Sequence, residues 1–173
     1  MPHDEPENAR AIPYDQAREA VLDMARRVAL LHMSYARTLV DALGEERGRA
    51  LIESAIRAYG TRIGERTRAK VEALGLEPEP HNFARGSDLP PLAFPSEAVT
   101  VDGERRSRSE SCVLADVWRE YGEEALGSLY CGVDPAKMEA YNPEWTMVHT
   151  HKMPDGDACC EMAIRRRRAE EPD

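Results

Sequence analysis

Residues 14–43 and 45–74 both repeat apolar side chains at three- and four-residue steps, and only Gly44 lies between them. This pairing limits the fold more than any other feature of the chain. In the first segment Val21, Met24, Val28, Leu31, Tyr35 and Leu39 form one apolar stripe, the pattern of a helix that turns one face to a core. Asp15 is placed to cap its start and Gly44 to stop it. In the second segment Ile52, Ala55, Tyr59, Ile63 and Val71 keep the same period and Gly75 ends it. Gly60 and Gly64 weaken the middle of that helix and let a neighbour approach closely. Two long helices joined by so short a turn predict an antiparallel helical hairpin.

The pattern then changes. Residues 77–95 hold five of the twelve prolines and read as a connector. Residues 98–101 read as a strand, Asp102-Gly103 as a hairpin turn, and 104–111 as the return strand. The arginines of that return strand predict an exposed or edge position. Short helices are expected over 112–121, 123–129 and 135–140, a strand over 145–152, a turn at Pro154-Asp155-Gly156, and a returning strand over 157–164. An aromatic share of only 6% agrees with a helix-rich chain, since sheets favour aromatic and β-branched residues. The expected class is α+β: an N-terminal helical hairpin packed with an antiparallel β-sheet that carries inserted short helices. At 173 residues one domain is expected over 13–166, with a polar tail at 1–12 and a charged tail at 167–173.

A net charge of −9 opposes binding to nucleic acid, which needs a Lys/Arg footprint. The one basic run, Arg165 to Arg168, is followed by acidic residues and reads as solvated. No stretch is apolar enough to span a bilayer, and the acidic start Met1-Pro2-His3-Asp4-Glu5 is not a signal peptide. A cytoplasmic location follows as the expectation. There the four cysteines stay reduced, as ligands, nucleophiles or small buried residues.

The last third gathers most of the residues able to do chemistry. His149 and His151 are one residue apart, so on a regular strand both imidazoles, with Trp145 and Met147, share one face. Such a pair serves as base and orienting partner, as two ligands to one metal such as zinc, with Cys131 a third, or simply as two surface histidines. Cys112, flanked by Glu110 and Asp116, stands apart from Cys131 and Cys160 with no close zinc-type spacing. Each is either a buried small residue or a thiolate nucleophile. Cys131 is the preferred nucleophile because Asp134 and the histidines lie near it in the expected fold. Cys159 and Cys160 alternate faces on a strand, so only one of them reaches the same pocket. Asp134 before Pro135 also suits a helix start, Asp157 after Gly156 suits a turn, and Asn142 before Pro143 suits an extended turn.

Taken together, Cys112, Tyr130-Cys131-Gly132-Val133-Asp134, Asn142-Pro143 and Gly156-Asp157-Ala158-Cys159-Cys160 resemble the L-2-amino-thiazoline-4-carboxylic acid hydrolase family. The resemblance spans roughly 112–164. It departs at Met162, where the family often has an aromatic residue. The His149-Thr150-His151 pair is not part of it, and a more distant similarity is to small-ligand-binding domains of the 4-vinyl-reductase type. The resemblance implies opening of a small cyclic amidine or thiazoline: the ring carbon between nitrogen and sulfur is attacked and the ring opens. The candidate catalytic residues are Cys131, His149, Asp157 and Asp134, and the candidate substrate-binding residues are Asn142, His151, Tyr130, Cys112 and Cys160; the roles of the two histidines rest on strand geometry alone. Arg105, Arg106 and Arg108 are placed either to hold a carboxylate or to solvate a strand. Two mechanisms stay open, attack by Cys131 or attack by water activated by a histidine, a carboxylate or a divalent metal. Two further readings compete: a non-catalytic small-ligand or metal-binding sensor, and a redox or metal-handling protein. The expected partner is a small-molecule substrate, and a homo-oligomer is compatible with the helical hairpin. The enzyme reading requires Cys131, both histidines and Asp157 to line one cavity.

Overall fold

The computed structural model describes residues 11–87 and 92–167. Residues 1–10 and 168–173, where most of the two expected tails fall, lie outside this range, as do four residues of the proline-rich connector. Two long helices, α1 (Tyr14–Leu43) and α2 (Glu45–Ala73), form the expected hairpin around Gly44, whose φ of 81° suits glycine. The connector contributes a short helix, α3 (Phe83–Gly86). Strands β1 (Glu97–Val101) and β2 (Glu104–Ser109) follow, then helices α4 (Val113–Glu120), α5 (Glu124–Gly127) and α6 (Val133–Tyr141), then strands β3 (Trp145–His151) and β4 (Cys160–Arg166). The class is α+β, as the pattern predicts.

The β1–β2 turn is built by Asp102 (φ 51°) and Gly103 (φ 80°), the two positive values that a tight hairpin requires. The four strands are antiparallel in the order β1-β2-β4-β3. This corrects the edge position expected for β2: it is internal, and β1 and β3 are the edges. Arginines are tolerated in an internal strand because Arg106 and Arg108 project, with Glu161, from the sheet face away from α6, where they neutralise one another.

The orientation of α1 also departs from expectation. Its core face is Ala25, Ala29, Ala36 and Val40, while Met24, Val28, Leu31 and Tyr35 of the predicted stripe are 59%, 37%, 58% and 66% exposed. The reason is packing distance. Ala25 and Ala29 lie in one cluster with Leu114, Ala115, Val117 and Trp118 of α4, and Trp118, with no exposed surface, donates its indole N–H to the Ala29 carbonyl at 3.2 Å. Only alanine leaves room for that ring against the helix backbone. Removing so large a buried side chain costs roughly 3–5 kcal/mol. Farther along, Ala36 and Val40 pack with Ile52, Ile56, Leu126 and Val133.

Gly60 and Gly64 act as expected. A Cβ built on Gly64 would lie 2.1 Å from the Lys137 carbonyl oxygen, and one on Gly60 would lie 2.7 Å from that of Val133. The bare backbone of α2 therefore seats α6. In turn α6 covers one face of β3, where Met138 and Tyr141 pack with Val71, Trp145 and Met147. No helix among the described residues is long and apolar enough to cross a membrane.

Candidate functional site

The chain arrives at the helix-covered face of the sheet by four routes. The N-terminal end of α6, fixed by the glycines of α2, supplies Asp134. Strand β3 supplies His149, which lies opposite Met162 of β4 and diagonal to Cys160. The turn entering α4 supplies Cys112, and the 3-10 turn Ser128–Gly132 supplies Tyr130 and Cys131.

Asp134 sits inside the first turn of α6 and makes no capping hydrogen bond. Its carboxylate accepts from His149 Nε2 at 3.1 Å and from Lys137 Nζ at 2.5 Å. Burial raises its pKa, but the Lys137 charge and the hydrogen bonds from His149 and Lys137 outweigh that and bring it to about 2. The pair leaves His149 Nδ1 as the ring nitrogen free for other work.

Cys112 and Cys160 hydrogen-bond to each other. The Cys160 sulfur also accepts the Met153 backbone N–H at 3.4 Å. The pKa of Cys160 is lowered, first by its pairing with the Cys112 thiol and further by the Met153 N–H and the nearby His149 charge. Cys112 is raised by the same hydrogen bond and by burial. Cys131 differs: burial first, then the charge of Asp134, push its thiol up to about 12. A thiol at that value is protonated and a poor nucleophile at neutral pH. Of the cysteines in the cluster, Cys160 is shifted down while Cys131, preferred from sequence, is shifted up.

The four-residue cavity that the enzyme reading requires in the form stated from sequence does not form, which overturns that form of the reading. Cys131, Asp134 and His149 come together with Cys112 and Cys160. His151 does not join them, because β3 bulges after His149: His149 opposes Met162, His151 opposes Glu161, and Thr150 is the extra residue. A bulge resets the alternation of side chains. His151 Nδ1 thus lies 3.5 Å from Glu161 Oε1, and Thr150 Oγ1 donates to the same oxygen at 2.8 Å. Asp157 is exposed and accepts the Lys152 backbone N–H at 2.7 Å, which closes the turn before β4. Asn142 ends α6, donating from Nδ2 to the Pro78 carbonyl and accepting the Glu144 N–H on Oδ1, both at 3.0 Å. Among the described residues no group of three or more His, Cys, Asp or Glu side chains is arranged to hold a metal ion, and the bulge separates the proposed ligand pair His149 and His151.

Tyr130 packs edge-on against His32 of α1 at 5.3 Å, and burial raises its hydroxyl pKa. His32 Nε2 lies 3.0 Å from the Leu126 carbonyl, and burial lowers its pKa. At the outer margin Lys152 Nζ contacts Asp155 at 2.5 Å and Ser128 at 3.2 Å. A surface depression lined by Arg119, Glu124, Met153, Asp155 and Asp157 adjoins this margin, and shares Met153 with the Cys160 sulfur. Sequence reasoning did not select His32, Ser128, Lys137, Lys152 or Asp155. Lys137 had a local signal, since it stands three residues after Asp134 on a helix; the others are joined only by the tertiary fold.

The sequence profile of the L-2-amino-thiazoline-4-carboxylic acid hydrolase family matches residues 24–164. That range takes in α1 from Met24 onward, the whole of α2, and the thiol and histidine cluster. No curated protein and no solved structure matches the chain.

Proposed function

The chain belongs to the L-2-amino-thiazoline-4-carboxylic acid hydrolase family, and from that premise we propose that it opens the ring of a small cyclic amidine or thiazoline carboxylate, such as 2-amino-thiazoline-4-carboxylate, through Cys160, His149 and Asp134. One observation carries this reading: the thiol with the lowered pKa and the Asp134–His149 pair lie on the same face of β3 and β4, beneath α6. Diagonal side chains on such a face stand about 7 Å apart, which leaves space for a substrate atom between sulfur and imidazole.

The Cys160 thiolate adds to the ring carbon between nitrogen and sulfur. The ring C–S bond breaks, and the departing sulfur takes a proton from His149, leaving the carbon on Cys160 as an isothiourea. Water then adds to that carbon and returns a proton to His149. The remaining water proton passes to the former ring nitrogen, the Cys160–carbon bond breaks, and an N-carbamoyl cysteine leaves. Asp134 holds the imidazole in place and balances its positive charge in each step. Lys152, now paired with Asp155 at the margin, is the cation available to the substrate carboxylate. The chemistry suits a reducing compartment, where these thiols stay free.

The product carries a new thiol, so turnover reads directly as thiol release. Cys160→Ser is expected to lower kcat/KM by at least about 10³-fold, and Cys131→Ser by only a few-fold. Turnover by Cys160→Ser at the wild-type rate would move the reaction to water activated by Asp134–His149. A wild-type protein that binds such amidines and turns over none of them would be a sensor rather than a hydrolase.

A further inference from the structure

Sequence pattern and burial disagree most along α1. Tyr14, Ala17, Val21, Met24, Val28, Leu31 and Tyr35 alternate steps of three and four without a break, a 3.5-residue repeat held over three heptads. A helix packed in a globular core needs no such strict repeat, and this one faces outward: Tyr14, Met24, Leu31 and Tyr35 are each more than half exposed. The alanine face about a quarter-turn away satisfies the protein's own core. So α1 has two apolar faces and the fold uses one.

We propose that the outward stripe packs against the same stripe of a second copy of this chain, making a two-fold dimer through α1. Three observations favour a copy of the chain over a different partner. First, with Val28 at an a position and Met24 and Leu31 at d, the seam is self-complementary, and β-branched a with unbranched-Cβ d residues suits two strands; Val21, the preceding a residue, is half-buried and also packs on the α4 cluster, so it borders the seam rather than standing free in it. Second, the seven stripe residues from Tyr14 to Tyr35 include no charged side chain in a chain that is 32% charged; an uncharged strip offers no electrostatic address to a charged partner and matches the core of an interface. Third, the area suffices. Taking roughly 150–250 Å² for an aromatic side chain and somewhat less for Met, Leu and Val, the exposed parts of the stripe come to roughly 500 Å² per protomer. Doubled across a two-fold axis this reaches about 1,000 Å², the threshold for a specific interface. Residues 1–10 do not compete for this role, as Met1 and Ala9 are their only apolar side chains besides proline.

Sedimentation equilibrium of the full chain from about 1 to 100 µM tests the proposal. The wild type is expected to be dimeric, and Met24→Glu and Leu31→Glu each monomeric or at least about 100-fold weaker in association, with unchanged helical circular dichroism because both positions are exposed. Ile164→Glu, a similar change on the sheet, is expected to stay dimeric. Leu31→Gln, milder than the charge change, is expected to weaken association as well and covers the case in which a glutamate unfolds the helix. A monomeric wild type at 100 µM overturns the proposal. So does a dimer that survives both α1 charge changes in folded protein, or one that Ile164→Glu disrupts as strongly as they do.

Discussion

Two histidine–carboxylate pairs sit on opposite faces of the same two strands, and they differ in what surrounds them. His149 and Asp134 face α6 and share their space with Cys112, Cys131 and Cys160. His151 and Glu161 lie on the other face, where Glu161, fully buried, accepts from Arg106 at 2.7 Å, from Arg108 at 2.6 Å and from Thr150 at 2.8 Å. Both carboxyls lie near 2, yet for different reasons: Asp134 is held down by one lysine and one histidine against burial, Glu161 first by Arg106, then by Thr150 and Arg108. With three strong donors already on Glu161, that pair has no free capacity and acts as a clamp across β2, β3 and β4. The inward pair has a second imidazole nitrogen and, nearby, a thiol whose pKa is lowered. A low carboxylate pKa is thus common to structure and chemistry; what separates the two is the availability of a partner that can react.

The sharpest break of this comparison is a matched pair of substitutions. His149→Gln is expected to lower kcat/KM by roughly 10²–10⁴-fold, the range for a general acid–base group, whereas His151→Gln stays within about two-fold. Thiol release from 2-amino-thiazoline-4-carboxylate measures both; equal losses would erase the distinction between the faces.

Gly64→Ala comes next. The added methyl meets the Lys137 carbonyl, so α6 must move away from α2 and carry Asp134 with it. Overpacking of this kind costs about 1–3 kcal/mol, or roughly 2–4 °C in Tm per kcal/mol for a chain of this size. Activity of the folded fraction is expected to fall too, since the Asp134–His149 contact depends on where α6 sits. Calorimetry and turnover at a temperature below both transitions separate the two effects.

The outward clamp is tested by acid. Glu161 and Glu104 have folded pKa values of about 2, below the ordinary 4.5. Their contribution to stability is therefore full above about pH 4.5 and is lost as pH falls through 2. Glu161→Gln is expected to flatten that part of the pH–stability curve in urea titrations between pH 5 and 2, and to leave kcat at neutral pH unchanged. The share of the curve that comes from Asp134 remains.

Much of this fold is legible locally. The hairpin break at Gly44, the Asp102-Gly103 turn, and the glycines of α2 each act through backbone geometry that a few residues determine. The site is legible in part. Residues 112–160 do collect the chemistry, but the arrangement depends on tertiary events. The bulge at Thr150 arises from pairing with β4, so nothing in His149-Thr150-His151 itself reveals that the two rings part. Cys112 and Cys160 are forty-eight positions apart and come together only because the fold brings the residue before α4 to the start of β4. The α1 stripe misleads for a related reason: the most periodic apolar face is not the face that the core uses, because Trp118 demands alanine against it.

The smallest expected effect concerns a residue that the family pattern includes but that the geometry places at a turn. Asn142→Ala removes the partners of the Pro78 carbonyl and the Glu144 N–H, a loss of about 1–2 kcal/mol in denaturant titrations, with KM unchanged.

The central claim is that Cys160, rather than Cys131, carries the reactive thiolate. Alkylation by iodoacetamide as a function of pH, with each cysteine followed by peptide mass mapping, tests it most directly. The account predicts that Cys160 is modified first, with an apparent pKa below that of a free thiol, that activity is lost in step, and that Cys131 stays unmodified at neutral pH. Faster labelling of Cys131, or labelling of Cys160 only above the free-thiol pKa, would contradict it.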